Sequence, residues 1–76
     1  MKKVTLVQMK EKQKGVILEI PAGAALQNKL MSMGIYKGRE ISKISHIGLK
    51  GPVVIKAGRS ILALGHSVAA KVIVEA

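Results

Sequence analysis

The sequence predicts a mainly β domain, a small barrel of five to six short strands that carries one amphipathic helix. Three observations predict it. Turn-forming residues recur at short intervals: Gly15, Pro21-Ala22-Gly23, Gly34, Gly38, Gly48, Gly51-Pro52, Gly58 and Gly65. The runs between them are rich in Val and Ile, residues that suit a half-buried pleated surface. One segment, 24–33, instead places its apolar residues at helical spacing. Short strands with such regular punctuation close into a small barrel.

Taken in order, a short strand is expected over 5–7 and a longer one over 14–20, with Val16, Leu18 and Ile20 on one face. Just upstream, Lys10, Lys12 and Lys14 alternate, which in an extended chain would put the three on one side. The helix follows at 24–33, with Leu26, Leu30 and Met33 at i, i+4 and i+7. No Ser, Thr, Asp or Asn caps it, so Pro21 and Gly23 must shape its start. Its exit reads as a Schellman ending, with Gly34 as the left-handed residue and Leu30 meeting Ile35. Gly38 then serves the turn into the next strand, with positive φ expected.

In 39–47 the isoleucines fall at 41, 44 and 47, a spacing of three that suits a helix. Their β-branching and the flanking glycines favour a strand, with a bulge near Ser42-Lys43 that shifts the face. Strands at 52–57 and 60–64 form a hairpin over Gly58-Arg59, with Val53 and Ile55 facing together. A single helical turn at 67–70, entered through Gly65-His66, leads to a last strand over 71–75.

Seventy-six residues make one domain, 1–76, whose core must come from aliphatic side chains. No cysteine is present, which removes disulfides and thiolate metal sites together. The apolar run after Lys2-Lys3 is shorter than the roughly 7–15 residues of a signal segment. Nothing approaches the ~18 apolar residues of a spanning helix. A cytoplasmic location is the resulting expectation. The net charge of +9 implies a partner of negative charge (nucleic acid, an anionic membrane surface or an acidic protein face), or else serves solubility alone.

Catalytic signatures are missing. There is no GxxxxGK[ST] and no GxGxxG, and Glu11, Glu19, Glu40 and Glu75 fall in separate elements. His46 and His66 are far apart in sequence and neither has a neighbouring carboxylate. Structural roles are expected for both, with at most adventitious metal binding at one or the other. Neither an enzyme nor a cofactor is expected. Nucleic-acid binding suits the charge, but Tyr36 is the single aromatic residue, and Arg39 and Arg59 are the only arginines. Such binding would be directed at the backbone and strongly dependent on salt.

The order "KGVILEI", "LMSMGIYKG", "EISKI", "GPVVIKAGRSILALG" and "AAKVIVE" covers residues 4 to 75 and resembles the FeoA family. These are small accessory proteins of ferrous iron transport, and the same domain closes the iron- and manganese-dependent repressors. The resemblance implies an SH3-like barrel with a helix inserted after an early strand. It also implies docking, without catalysis, on the cytosolic part of a large membrane ferrous iron transporter that carries a GTPase domain. The contact candidates are Met31, Tyr36, Lys37, Lys50 and Arg59, with Gly34, Ile35, Gly38, Gly51 and Pro52 as structural turns and caps. Met31 and Tyr36 lie off the 26/30/33 face of the helix. Lys37 stands where the family often has proline, and "LGHSVA" replaces a more charged segment. The alternatives are a KOW-type barrel on nucleic acid, which Lys14-Gly15-Val16-Ile17 weakly resembles, and a metal sensor derived from the repressor module.

Overall fold

The computed structural model describes residues 2–48 and 50–76. Its elements run β1 (Lys3–Thr5), β2 (Lys14–Glu19), α1 (Ala24–Ser32), β3 (Glu40–His46), β4 (Val53–Ala57), β5 (Ser60–Leu64), α2 (His66–Ala69) and β6 (Ile73–Glu75). The strands form one antiparallel sheet in the order β1-β6-β2-β3-β4-β5. Its inner face, closed by the helices and the 6–13 segment, buries Ile17, Ile41, Val53, Ile55 and Val74 with Leu6, Leu30, Ile35 and Val72. Each such aliphatic side chain contributes roughly 1.5–3 kcal/mol on burial.

The C-terminal half follows its local sequence. Val53, Ile55 and Ala57 all point inward, and Ala57 pairs with Ser60 across the two-residue Gly58-Arg59 turn. The segment up to the end of β3 departs from the expected phases in four places. The first strand lies at Lys3–Thr5 instead of 5–7. The chain turns at Thr5, whose carbonyl accepts from Gln8 N and Met9 N at 3.0 and 3.1 Å, while Gln8 Oε1 accepts from Thr5 N at 2.9 Å. That turn rolls Leu6 and Met9 into the core.

Secondly, β2 faces the other way. Gly15 and Ile17 point inward and Val16 is exposed. The partners dictate this: Gly15 lies opposite Ile41 and Ile17 opposite Val74, both core residues, whereas Val16 lies between Glu40 and Glu75. A side chain at Gly15 would collide with Val74. A register shift at Leu18 then ends the alternation before Ile20, which is half-buried. Thirdly, Lys10, Lys12 and Lys14 share no face. Glu11 and Lys12 form a turn, with Lys12 at φ 68°, and Lys14 starts β2.

The fourth departure is in β3. Its register shifts between Lys43 and Ser45, so the bulge sits at Ile44. Ile41, Lys43 and His46 therefore lie opposite inward-facing partners, and Ile44 and Ile47 are exposed. Lys43 is only 2% exposed. Its ammonium donates to the carbonyls of Met9 at 2.6 Å and Val7 at 3.0 Å. Its backbone bonds the same segment, donating to Gln13 O at 2.9 Å and accepting from Lys12 N at 2.7 Å. Lys43 thus pins the 6–13 segment over the open face of the sheet. Burial lowers its pKa from the usual 10.5, opposed in part by the charge of Glu11.

Helix α1 starts at Gly23 without a side-chain cap. Gln27 instead holds the incoming chain, its side-chain amide donating to the carbonyls of Ala22 at 2.7 Å and Ile20 at 3.0 Å. Leu30 is buried, while Leu26 and Met33 are half-buried beside a shallow cleft of about 140 Å³ shared with Leu64 and Val68. No helix among the described residues is long and apolar enough to cross a membrane.

Candidate functional site

The helix exit has the geometry of a Schellman motif. Ile35 N donates to Leu30 O at 2.8 Å and Gly34 N to Met31 O at 3.0 Å, with Gly34 at φ 89°. Ile35 is fully buried, so the motif nails the chain to the core at that point. The next turn is closed by Arg39 N donating to Tyr36 O at 3.1 Å, with Gly38 at φ 90°. Its last two residues are tied to β2 through Ile17, because Gly38 N donates to Ile17 O at 2.8 Å and Ile17 N to Arg39 O at 2.9 Å. Between these anchors Tyr36 and Lys37 are displayed to solvent.

Tyr36 does not hang free. Arg39 Nη1 donates to its hydroxyl at 3.0 Å, and the guanidinium carbon lies 5.6 Å from the ring centre. The other terminal nitrogen of Arg39 lies against Gly58, filling the space a side chain there would need. The joint after α1 and the β4–β5 turn are thereby stitched together, which puts Arg59 beside the Tyr36–Lys37–Arg39 turn. The result is one end of the barrel with a held aromatic ring and three cationic side chains.

The structure divides the sequence-derived contact candidates. Tyr36, Lys37 and Arg59 belong to this end. Met31, 58% exposed, precedes it on the last turn of α1. Lys50 is exposed in the β3–β4 connection, at the opposite end of the strands, because Ser42 pairs with Lys56 and His46 with Val53. That connection is tight: Ile47 N donates to Pro52 O at 3.1 Å, and Gly51 lies so close to the Ile47 carbonyl that any side chain would overlap it. Arg39, which organises the first end, escaped the sequence reading. Its spacing of three from Tyr36 across a glycine turn was the available signal.

The second surprise concerns the histidines. His46 ends β3 on its inner face, opposite Val53, which in turn lies opposite Leu64, two residues before His66. The imidazoles stack with centres 5.8 Å apart and planes inclined by 29°. His46 Nε2 and His66 Nδ1 are both buried without a hydrogen-bond partner. Two residues expected to stand separately are thus neighbours. Among the described residues, no three His, Asp or Glu side chains converge as a metal-binding group.

Comparison with known proteins now bears on this geometry. The family model described as FeoA domain matches residues 4–76. A Methanocaldococcus jannaschii protein with the provisional name Fe(2+) transport protein A is 35% identical over 66 residues, covering 87% of this chain and 78% of its own. The crystal structure of an iron uptake regulatory protein (FeoA) superposes with a TM-score of 0.88 at 31% identity, covering 99% of this chain and 97% of that one. A manganese-dependent transcriptional repressor shares the fold, with a TM-score of 0.85 at 16% identity, over 95% of this chain but 40% of its own. The six-stranded antiparallel sheet with its two short helices is thus the SH3-like architecture those structures share. By its match along nearly the whole length and by its fold, the chain belongs to the FeoA family.

Proposed function

We propose that this chain is an accessory protein of ferrous iron transport, which docks through the Tyr36–Arg39–Arg59 end onto an acidic cytosolic surface of a membrane transporter carrying a GTPase domain. Family membership supports the transport role, and the held ring of Tyr36 carries the docking assignment. Tyr and Arg dominate the energetics of protein interfaces, and a ring already fixed by its own arginine has less freedom to lose on binding. Lys37, Arg39 and Arg59, on a chain of net charge +9, steer the encounter toward negative charge and toward anionic headgroups nearby. A lone aromatic residue offers no succession of stacking platforms, which disfavours the single-stranded nucleic acid alternative.

The experiment is a binding titration of the chain with the transporter's cytosolic portion at two salt concentrations. Affinity should fall at higher salt, and the Tyr36→Ala and Arg59→Glu chains should each bind at least tenfold more weakly while melting like the parent. Lys50→Glu, at the other end of the strands, should have the smaller effect. Equal binding by all four chains would defeat the assignment of this end.

A further inference from the structure

We propose that β5 is an open docking edge, onto which an extended segment of a partner protein adds as a further strand, that segment alternating apolar with acidic residues. The inference goes beyond the docking reading above and uses neither Tyr36 nor Arg59.

The backbone of β5 carries the first part. β5 ends the strand order of the sheet and pairs only with β4. Ala57 and Ser60 flank the two-residue turn as its closing hydrogen-bonded pair, with Gly58 at φ 62°. The alternation of an antiparallel ladder then gives Ser60, Leu62 and Leu64 to β4 and turns the N–H and C=O groups of Ile61 and Ala63 outward. Among the described residues, no backbone hydrogen bond from another element reaches those groups. Outward donors and acceptors on alternate residues are what an added strand bonds.

The edge is also unguarded. Exposed edges usually carry a lysine, a proline, a bulge or extreme shortness, which keeps other chains from pairing there. β1, the opposite edge, is three residues long and begins with Lys3. β5 has none of these devices. Its sequence Ser-Ile-Leu-Ala-Leu pairs with β4 in an unbroken register, and Ile61 is 65% exposed.

The surroundings select the occupant. The cleft between α1 and the end of β5 is lined by Leu26, Leu30, Met33, Leu64 and Val68, with Lys29 beside them. Alternate side chains of an added strand would lie on the same side as Leu62 and Leu64, toward that cleft, and apolar residues suit them. The side chains between would lie on the outer face beside Ile61, and Lys56 stands directly opposite Ile61. No acidic residue lies on α1, β4 or β5, so Lys29 and Lys56 have no counter-charge on these elements. Glutamate or aspartate on the added strand would supply it. A second copy of the chain brings the same net charge of +9 and is repelled.

The test uses the full chain and a synthetic peptide of alternating valine and glutamate, about ten residues long, with a valine–lysine counterpart. At about ten times its Kd, the glutamate peptide should slow hydrogen exchange of the Ile61 and Ala63 amides roughly tenfold. The lysine peptide should not bind. Ala63→Pro removes an outward N–H while sparing the bonds to β4, and it should weaken binding of the glutamate peptide roughly tenfold. Any of five outcomes would overturn the proposal: no binding of the glutamate peptide at millimolar concentration, equal binding of the two peptides, binding that leaves the Ile61 and Ala63 amides unprotected, unchanged affinity in the proline chain, or protection that grows with chain concentration in the absence of peptide. The last would assign the edge to a second copy. Exchange on the unaltered chain decides the matter even if the proline substitution unfolds the protein.

Discussion

The helix exit at Gly34–Arg39 and strand β3 lie next to each other in sequence and obey different rules. At the exit, every constraint is local. Gly34 adopts a backbone conformation few other residues tolerate, and Ile35 N reaches back five residues to Leu30 O. In β3, local preference points one way and the fold goes another. The isoleucines at 44 and 47 stay at the surface, while a lysine and a histidine take inner positions. The exit is stable because the chain chemistry and the fold agree. β3 is held by partners brought from elsewhere: Val7, Met9 and Gln13 on Lys43, and His66 on His46. A strand that buries an ammonium must satisfy it, and this one does so by recruiting a loop, while its histidine packs against a helical turn.

This contrast gives a ranked set of expectations. Lys43→Ala should have the largest effect. It unpairs the carbonyls of Val7 and Met9 and leaves a void, a loss of roughly 3 kcal/mol or more. Denaturant melts measure it, and hydrogen exchange should show the 6–13 amides opening first. Lys43→Met keeps most of the volume and should lose less. If the alanine chain melted like the parent, the ammonium would not be what holds the segment.

Gly34→Val comes next. A β-branched side chain at φ 89° should destabilise by about 2 kcal/mol, and Gly34→Ala by about 1 kcal/mol. Both losses should be unaffected by salt, since the cost is steric. A valine chain as stable as the parent would mean the exit can end in another geometry.

The smallest effect is a pH dependence. Lys43 has its pKa lowered in the folded state by burial, so below 10.5 there is a window in which the unfolded chain holds more protons than the folded one. Stability contributed by this group should therefore rise as pH climbs through that window toward 10.5. Lys43→Met should flatten the rise. The slope should be unchanged if the ammonium is in fact solvated.

How far each region could be read from residues alone follows the same division. The α1 face of Leu26, Leu30 and Met33, the Gly58-Arg59 hairpin and the inward Val53 and Ile55 were all evident, because spacing and turn chemistry agree there. The phase of β2 was not. Val16-Ile17-Leu18 is apolar throughout, so no alternation distinguishes inside from outside, and only the pairing of Gly15 with Ile41 and of Ile17 with Val74 settles it. At the candidate docking end, Tyr36, Lys37 and Arg59 were recognisable as contact candidates, but their grouping depends on Arg39 spanning two turns. The histidine pair gave no sequence signal, since twenty residues and two strands separate its members.

By itself, then, the sequence determined the mainly β class, the helix with its Schellman exit, the β4–β5 hairpin and the net charge of +9. Each depends on residues within a few positions of one another, where backbone sterics and side-chain periodicity act directly. Only the tertiary structure decided the register of β2, the bulge that turns Lys43 and His46 inward, and the meeting of His46 with His66. Those depend on which strand lies opposite which, and a shift of one residue in pairing exchanges the two faces of a strand. No local preference in an all-apolar run, or in a strand with lysine among its isoleucines, is strong enough to choose between them.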